Sequence, residues 1–195
     1  MKNLKNTIIL PAVLIVCFIS GCGADKEAQT STLTLRKDGS ISHTIVEGFE
    51  QNYYDADELS AMAGQKIEDY AGNVVCESVE TKEDKVIVKM TYGTGEDYTG
   101  FNNRELSYGT VEDADKKGYH FENMVDRNGA SLSGDIQDIY SQNHVLVVQT
   151  GVGEELAVNV YDNILCVSSN VSISGKKGAY IGADEESTVS YIIFR

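Results

Sequence analysis

The chain is poor in several residue types whose abundance would point to particular classes of protein. It has one proline and no tryptophan, and its 16 lysines and arginines are outnumbered by 30 aspartates and glutamates. The single proline excludes a Pro-rich linker, and 18 glycines without a G-X-Y period exclude collagen. Nucleic acid binding depends on a basic face, so the net charge of −14 predicts that DNA and RNA are not partners.

The chain also lacks an apolar run of the roughly 20 residues that cross a bilayer as a helix. Its most apolar segment, residues 8–19, is shorter and contains Pro11. Lys2 and Lys5 precede this segment and small residues follow it, which is the layout of a signal peptide. We therefore predict a signal peptide over residues 1–21.

The end of this segment, Ile19-Ser20-Gly21-Cys22, resembles the bacterial lipobox. The resemblance implies transfer of a diacylglyceryl group to the sulfur of Cys22, cleavage before that residue, and acylation of the new N-terminus. Two acyl chains anchor a protein stably, at about 0.8 kcal/mol per buried CH₂. The alternative is an ordinary secreted cysteine after a conventional cleavage site. We expect the diacylglyceryl lipid on Cys22 and no other cofactor.

Residues 22–31 are predicted to comprise the lipidated cysteine and a short tether, because Gly23 to Ser31 are small, polar and aperiodic. A flexible segment of this length spans about 17 Å. Cleavage removes two lysines and takes the net charge from −14 to −16, and anionic headgroups repel so acidic a domain. The lipid bilayer is therefore expected as a partner through the anchor only, with the protein on the extracytoplasmic side of the cell membrane.

Two cysteines remain free to pair, Cys76 and Cys166, since Cys17 lies in the signal peptide and the sulfur of Cys22 is expected to carry the lipid. Both lie in apolar, strand-like runs, where a free cysteine behaves as a small buried hydrophobe. Export also permits a disulfide, but a disulfide needs Cα atoms about 4.4–6.8 Å apart. The sequence does not give that distance, so free thiols are favoured and the disulfide stays an open alternative.

A β-hairpin is predicted over residues 32–46, around a turn at 37–39. A three-residue loop pairs Leu35 with Ile41 and gathers the apolar residues on one face, whereas a two-residue loop would divide them between both faces. The first register is favoured. It also gives Gly39 the left-handed conformation that a side chain makes costly.

Residues 56–71 give the strongest helix signal in the chain. Asp55 can cap this helix, and Glu58 follows three residues later as in a capping box. Apolar residues recur at helical spacing, at Leu59, Met62, Ala63, Ile67, Tyr70 and Ala71. Gly72 then supplies a common helix terminator. The pattern predicts one amphipathic helix with a buried stripe.

The rest of the chain is predicted to be mostly strand. Residues 74–81 and 85–92 are predicted to form a second hairpin, in which Val86, Val88, Met90 and Tyr92 alternate with Ile87, Lys89 and Thr91. Residues 93–109, rich in glycine, asparagine and aromatics, are predicted as loop with short turns. A short helix is expected near 111–117, followed by several short Val/Ile-rich strands. Such strands favour an antiparallel meander or sandwich. We expect residues 32–195 to form a single α+β extracytoplasmic domain, mostly antiparallel β-sheet.

Several motifs are spread over the mature chain: Gly48-Phe49, Tyr53-Tyr54-Asp55, the stretch from Phe101-Asn102-Asn103 through Tyr108-Gly109-Thr110-Val111-Glu112-Asp113-Ala114, Lys117-Gly118-Tyr119 and Tyr191-Ile192-Ile193-Phe194. Together they resemble surface lipoproteins of Gram-positive anaerobes, a family without an assigned biochemical activity. The resemblance implies a location in the cell envelope and contributes no catalytic residue.

No complete catalytic or metal-binding motif occurs in the sequence. Residues 113–118 imitate the start of an EF-hand loop, but Lys117 and Met124 stand where oxygen ligands are needed. The three histidines lack the spacing of a metal site. Ser131 and Ser174 lie in incomplete nucleophile motifs. We therefore assign no catalytic residue and no metal.

Aromatic residues indicate one candidate binding site. Tyr98, Phe101, Tyr108 and Tyr119 lie in or beside the glycine-rich middle of the chain, and aromatic side chains often line ligand grooves. Packing in the core is the favoured explanation, because aromatic residues supply much of the burial in a β-rich core. The function predicted is a noncatalytic binding or interaction module of the envelope that engages a wall polymer, a peptide or a neighbouring protein. The alternatives are a hydrolase that uses two carboxylates and a structural or assembly scaffold.

Overall fold

The computed structural model describes residues 30–48 and 55–195, which form four helices and twelve strands. The predicted signal peptide and Cys22 lie outside the described residues. Two sheets make up most of the fold, so the expected α+β class with mostly antiparallel strands is confirmed. In this part of the chain no helix is long and apolar enough to span a membrane.

The larger sheet has seven strands. Their order across the sheet is β10 (Val171–Ser174), β11 (Gly178–Ile181), β8 (Leu156–Asn159), β1 (Thr32–Leu35), β2 (Ile41–Gly48), β4 (Lys85–Tyr92) and β3 (Val74–Lys82). Neighbours are antiparallel except β1 and β8, which are parallel. This one parallel pair joins the N-terminal hairpin to the C-terminal part of the chain.

The smaller sheet has five antiparallel strands, in the order β5 (Leu106–Thr110), β7 (His144–Thr150), β12 (Thr188–Phe194), β9 (Ile164–Ser168) and β6 (Met124–Asp126). The helices are α1 (Ala56–Asp69), α2 (Gly95–Asn102), α3 (Val111–Lys116) and α4 (Ile136–Tyr140). Side chains from both sheets form the main core. The opposite face of the smaller sheet packs under α3 and α4 and forms a second core.

The first hairpin has the predicted register, with Leu35 opposite Ile41. Gly39 adopts a φ of +86°, the left-handed conformation expected at the turn. Leu33, Leu35 and Ile41 are buried on one face, together with His43. The register therefore follows from the apolar pattern and from the one residue that fits the turn without strain.

Helix α1 begins as predicted and ends at Asp69 rather than at residue 71. One carboxylate oxygen of Asp55 accepts the N–H groups of Asp57 at 2.7 Å and of Glu58 at 3.2 Å. The helix ends where Tyr70 leaves the helical conformation for an extended one. The cap was predictable because Asp is a strong N-cap residue before an apolar periodic run.

The predicted burial of the apolar stripe on α1 is wrong. No residue of α1 is buried, and Met62 on the stripe is 63% exposed. Ile67, near the end of the helix, is half-buried and packs against the main core. Nearer its start the helix leaves a space over the larger sheet, and this space is the groove described below.

The prediction of loop over residues 93–109 is also wrong, because this segment contains α2 and the start of β5. The Thr94 hydroxyl caps α2 by accepting the N–H of Asp97 at 3.1 Å. Tyr98 and Phe101, one turn apart, are buried against the main core. The sequence did not predict this helix because it contains two glycines, which disfavour helix. Burial of two aromatic rings outweighs that cost. The short helix predicted near residues 111–117 is confirmed as α3.

Cys76 and Cys166 are free thiols that lie in different places. Cys76 is on β3 and packs against the main core, whereas Cys166 is on β9 in the second core. Burial raises the pKa of the Cys166 thiol to about 12. Neither cysteine is positioned to bond the other, and the structure does not form the alternative disulfide.

Candidate functional site

A groove of about 920 Å³ lies between α1 and the core-facing side of the larger sheet. We call it the α1 groove. Its lining is mostly apolar and comprises Ile45, Leu59, Met62, Ala63, Val86, Val88, Met90, Tyr92 and Phe101. A concave, largely apolar surface of this size is typical of ligand sites in proteins.

The floor of the groove follows from strand alternation. Val86, Val88, Met90 and Tyr92 occupy every second position of β4 and face the same side. Ile45 on β2 is paired with Val88 and adds to this surface. Met90 and Tyr92 also belong to the main core, so the groove is a continuation of that core.

The roof is the apolar stripe of α1. Leu59, Met62, Ala63 and Lys66 recur at helical spacing and line the groove. Leu59 and Ala63 are half-buried and Met62 is exposed. Because this part of the helix does not close onto the sheet, Met62 on the roof and the half-buried Ile45 and Val88 on the floor leave apolar surface available to a ligand.

The two ends of the groove differ in chemistry. Glu47 lies opposite Val86 on the sheet, and Asp55 and Glu58 belong to the start of α1, so three acidic residues line the same end of the groove. Tyr92, six residues from Val86 along β4, marks the other end, which places the ends about 20 Å apart. The site is therefore an elongated apolar channel with one acidic mouth.

The charged groups around the groove differ in whether they have partners within the described part of the protein. Asp55 uses its carboxylate to cap α1. Glu47 and Glu58 are exposed, and the part of the chain that the structure describes gives neither of them a salt bridge. Lys66 lies at the far end, with Nζ 4.4 Å from the centroid of the Phe101 ring, a cation–π contact.

The four aromatic residues singled out in the sequence are not brought together in one site. Tyr98 and Phe101 are 3% and 8% exposed, and their ring centroids lie 5.0 and 5.9 Å from that of Tyr92. Phe101 alone of the four lines the α1 groove. These two rings therefore serve mainly in core packing.

Tyr108 and Tyr119 lie elsewhere. The Tyr108 ring stacks on Phe194, and its hydroxyl oxygen is 2.7 Å from that of Tyr161. Tyr119 packs beside the second core and donates a hydrogen bond of 2.5 Å to Glu105. The polar ends of both rings are satisfied within the protein, as is usual for half-buried tyrosines.

Two aspartates in and near the EF-hand-like segment, Asp113 and Asp126, have local structural roles. Within residues 30–48 and 55–195, no group of three or more His, Cys, Asp or Glu side chains is close enough to hold a metal ion. Asp113 lies in the first turn of α3, where its N–H is bonded to the Thr110 hydroxyl at 3.0 Å. Asp126 accepts two backbone N–H groups of its own turn, from Asn128 and Ala130, which lowers its pKa.

Comparisons with family models, with curated proteins and with solved structures give no match to this chain. The site is therefore interpreted from its own geometry.

The α1 groove was not predicted from the sequence, although both walls were. The alternation of β4 and the stripe of α1 are visible as patterns. What a pattern does not give is the separation between two elements that face each other. The stripe does carry a small residue at a position that lines the groove, Ala63, which fills little of the space over the sheet.

Proposed function

We propose that this protein is a noncatalytic binding module of the cell envelope, anchored to the membrane through a diacylglyceryl group on Cys22, and that the α1 groove is its binding site. The observation that carries the proposal is the incomplete burial of α1. An amphipathic helix normally buries its apolar stripe, yet here Leu59, Met62 and Ala63 of that stripe face an open groove with an apolar floor.

The chemistry of the lining favours one kind of ligand over another. Wall polymers are polar and would find few hydrogen-bond partners on the floor formed by β2 and β4. A peptide or a segment of a neighbouring protein can bury apolar side chains there, and each Å² of apolar surface removed from water contributes about 25 cal/mol. The proposal is therefore a module that binds a peptide or protein segment.

The proposed anchor suits such a role. A tether of about 17 Å keeps the groove close to the bilayer, where exported and membrane-bound proteins are concentrated. The negative charge of the domain is expected to hold it off an anionic surface. Both features leave the groove accessible to a partner in the envelope.

Selection from a displayed library of random peptides tests the proposal. The full chain is presented in phosphatidylcholine nanodiscs, after clearing the library on empty nanodiscs. Met62→Lys places a charge in the groove at a site that is already 63% exposed. Ile139→Lys is the matched control, since Ile139 on α4 is 59% exposed and does not line the groove.

We expect apolar peptides to be enriched by the original chain and by the Ile139→Lys variant, and to be lost with Met62→Lys. Enrichment that survives Met62→Lys would place binding elsewhere. Failure to enrich any peptide would contradict the proposed function.

A further inference from the structure

The distribution of charge around the α1 groove narrows the class of ligand. Three carboxylates lie at the mouth, from Glu47, Asp55 and Glu58, and the lining contains one cation, Lys66, at the opposite end. We propose that the groove takes an apolar peptide segment that carries basic side chains at one end, with those side chains against Glu47 and Glu58. This inference rests on the proposed function and adds the ligand's chemistry and orientation.

The side chains that line the groove determine the size and polarity of the apolar part of the ligand. Val86, Met90 and Tyr92 are 5%, 3% and 0% exposed. The part of the floor that a ligand can contact is therefore formed by the half-buried Ile45 and Val88, and it fits a few apolar side chains. Met62 on the roof faces these two side chains, so the groups that a ligand meets are hydrocarbon and thioether. The groove therefore excludes a ligand that is charged along its length.

The carboxylates at the acidic end of the groove determine where the basic side chains of the ligand bind. Glu47 and Glu58 come from opposite walls, one from the end of β2 and one from the first turn of α1. Within the described residues neither carboxylate is paired with a cation of the chain itself. A Lys or Arg side chain between them would meet negative charge on both sides, and charge complementarity of this kind determines orientation as well as affinity.

The far end of the groove enforces the same orientation. The Lys66 ammonium group is held over the Phe101 ring at 4.4 Å from its centroid. A peptide bound in reverse would bring its basic side chains to this cation. The repulsion there and the loss of two carboxylate partners both disfavour the reversed peptide.

The test uses three synthetic peptides that share one apolar sequence with a single Trp and end in two lysines, two serines or two glutamates. The chain has no Trp, so excitation at the red edge of Trp absorption reports the peptide alone. The full chain in phosphatidylcholine nanodiscs is titrated with each peptide, and the signal from empty nanodiscs is subtracted. A blue shift of the Trp emission measures burial.

The net charge of −14 attracts any cationic peptide, so the variants must separate local from general attraction. Glu47→Gln with Glu58→Gln removes two charges at the mouth. Glu68→Gln with Glu186→Gln removes two exposed charges that do not line the groove and is the matched control.

We expect the lysine-ended peptide to bind about threefold to tenfold more tightly than the serine-ended one, as two solvent-exposed ion pairs would give. The glutamate-ended peptide should bind most weakly. In the Glu47 and Glu58 double variant the preference should fall to the small excess that the overall negative charge gives, and in the control it should persist.

Equal binding of all three peptides, abolished by Met62→Lys, would overturn the inference and leave the proposed function standing. A lysine preference that the control variant also loses would show general attraction and would overturn the inference too. Binding of none of the peptides, or occupation of the groove by a second copy of the chain at micromolar concentration, would overturn both.

Discussion

His43 makes the stability of this protein depend on pH in a specific window. The side chain lies on β2 among core residues and is 6% exposed, and neither ring nitrogen has a hydrogen-bond partner in the described structure. Its ring faces Tyr98 at a centroid distance of 5.7 Å. Burial lowers the pKa of His43 to about 4, while Glu154 raises it and Arg104 lowers it by smaller amounts.

The direction of the pH effect follows from this shift. The ordinary pKa of His in an unfolded chain is about 6.5. As the pH falls below that value, the unfolded state binds a proton at His43 that the folded state does not bind. Stability is therefore intact above about pH 6.5 and falls progressively down to about pH 4. Between pH 8 and pH 5 the loss is about 2 kcal/mol, and below pH 4 it approaches about 3 kcal/mol.

Urea unfolding at pH 8 and at pH 5 measures this loss. His43→Leu removes the titrating group and two unpaired buried nitrogens, so we expect its free energy of unfolding to change by about 2 kcal/mol less between the two pH values than that of the original chain. His120→Gln is the control, because His120 is exposed. If His43→Leu and the original chain lose equal stability at pH 5, the reasoning from burial is refuted.

Two further predictions concern the anchor and the glycines near α1. Cys22→Ser should move the full chain from the detergent phase to the aqueous phase in a partition assay, and continued partition into detergent would contradict lipidation of Cys22. Gly64→Ala should stabilise α1 by about 0.5–1 kcal/mol in urea unfolding, since a Cβ at this helical position meets nothing within 4 Å. Gly72→Ala should instead cost about 1–3 kcal/mol, because its Cβ would collide with the Tyr70 ring; equal effects of the two substitutions would contradict the packing described.

The sequence predicted local features of this fold where a single residue determines the local conformation. Gly39 and the apolar alternation selected the register of the first hairpin, and Asp55 marked the start of α1. In both cases the relevant energies act between residues close in the chain. Helix α2 escaped prediction because its glycines disfavour helix locally, while its stability comes from Tyr98 and Phe101 packing against distant strands.

The candidate site depends on contacts between residues far apart in the chain more than these local features do. The parallel pairing of β1 with β8 joins residues more than a hundred positions apart, and no local sequence pattern predicts it. The α1 groove likewise results from the distance between a helix and a sheet whose apolar faces were each predicted. A sequence pattern gives the polarity of each wall, and only the fold gives the space between them.

The central claim, that the α1 groove binds a partner in the envelope, is tested most directly by photo-crosslinking in intact cells. A photoreactive amino acid replaces Met62 in one version of the full chain and Ile139, remote from the groove, in another. The account predicts a discrete adduct with another protein or peptide from position 62 and none from position 139. Adducts that are equal from both positions, or absent from position 62, would contradict it.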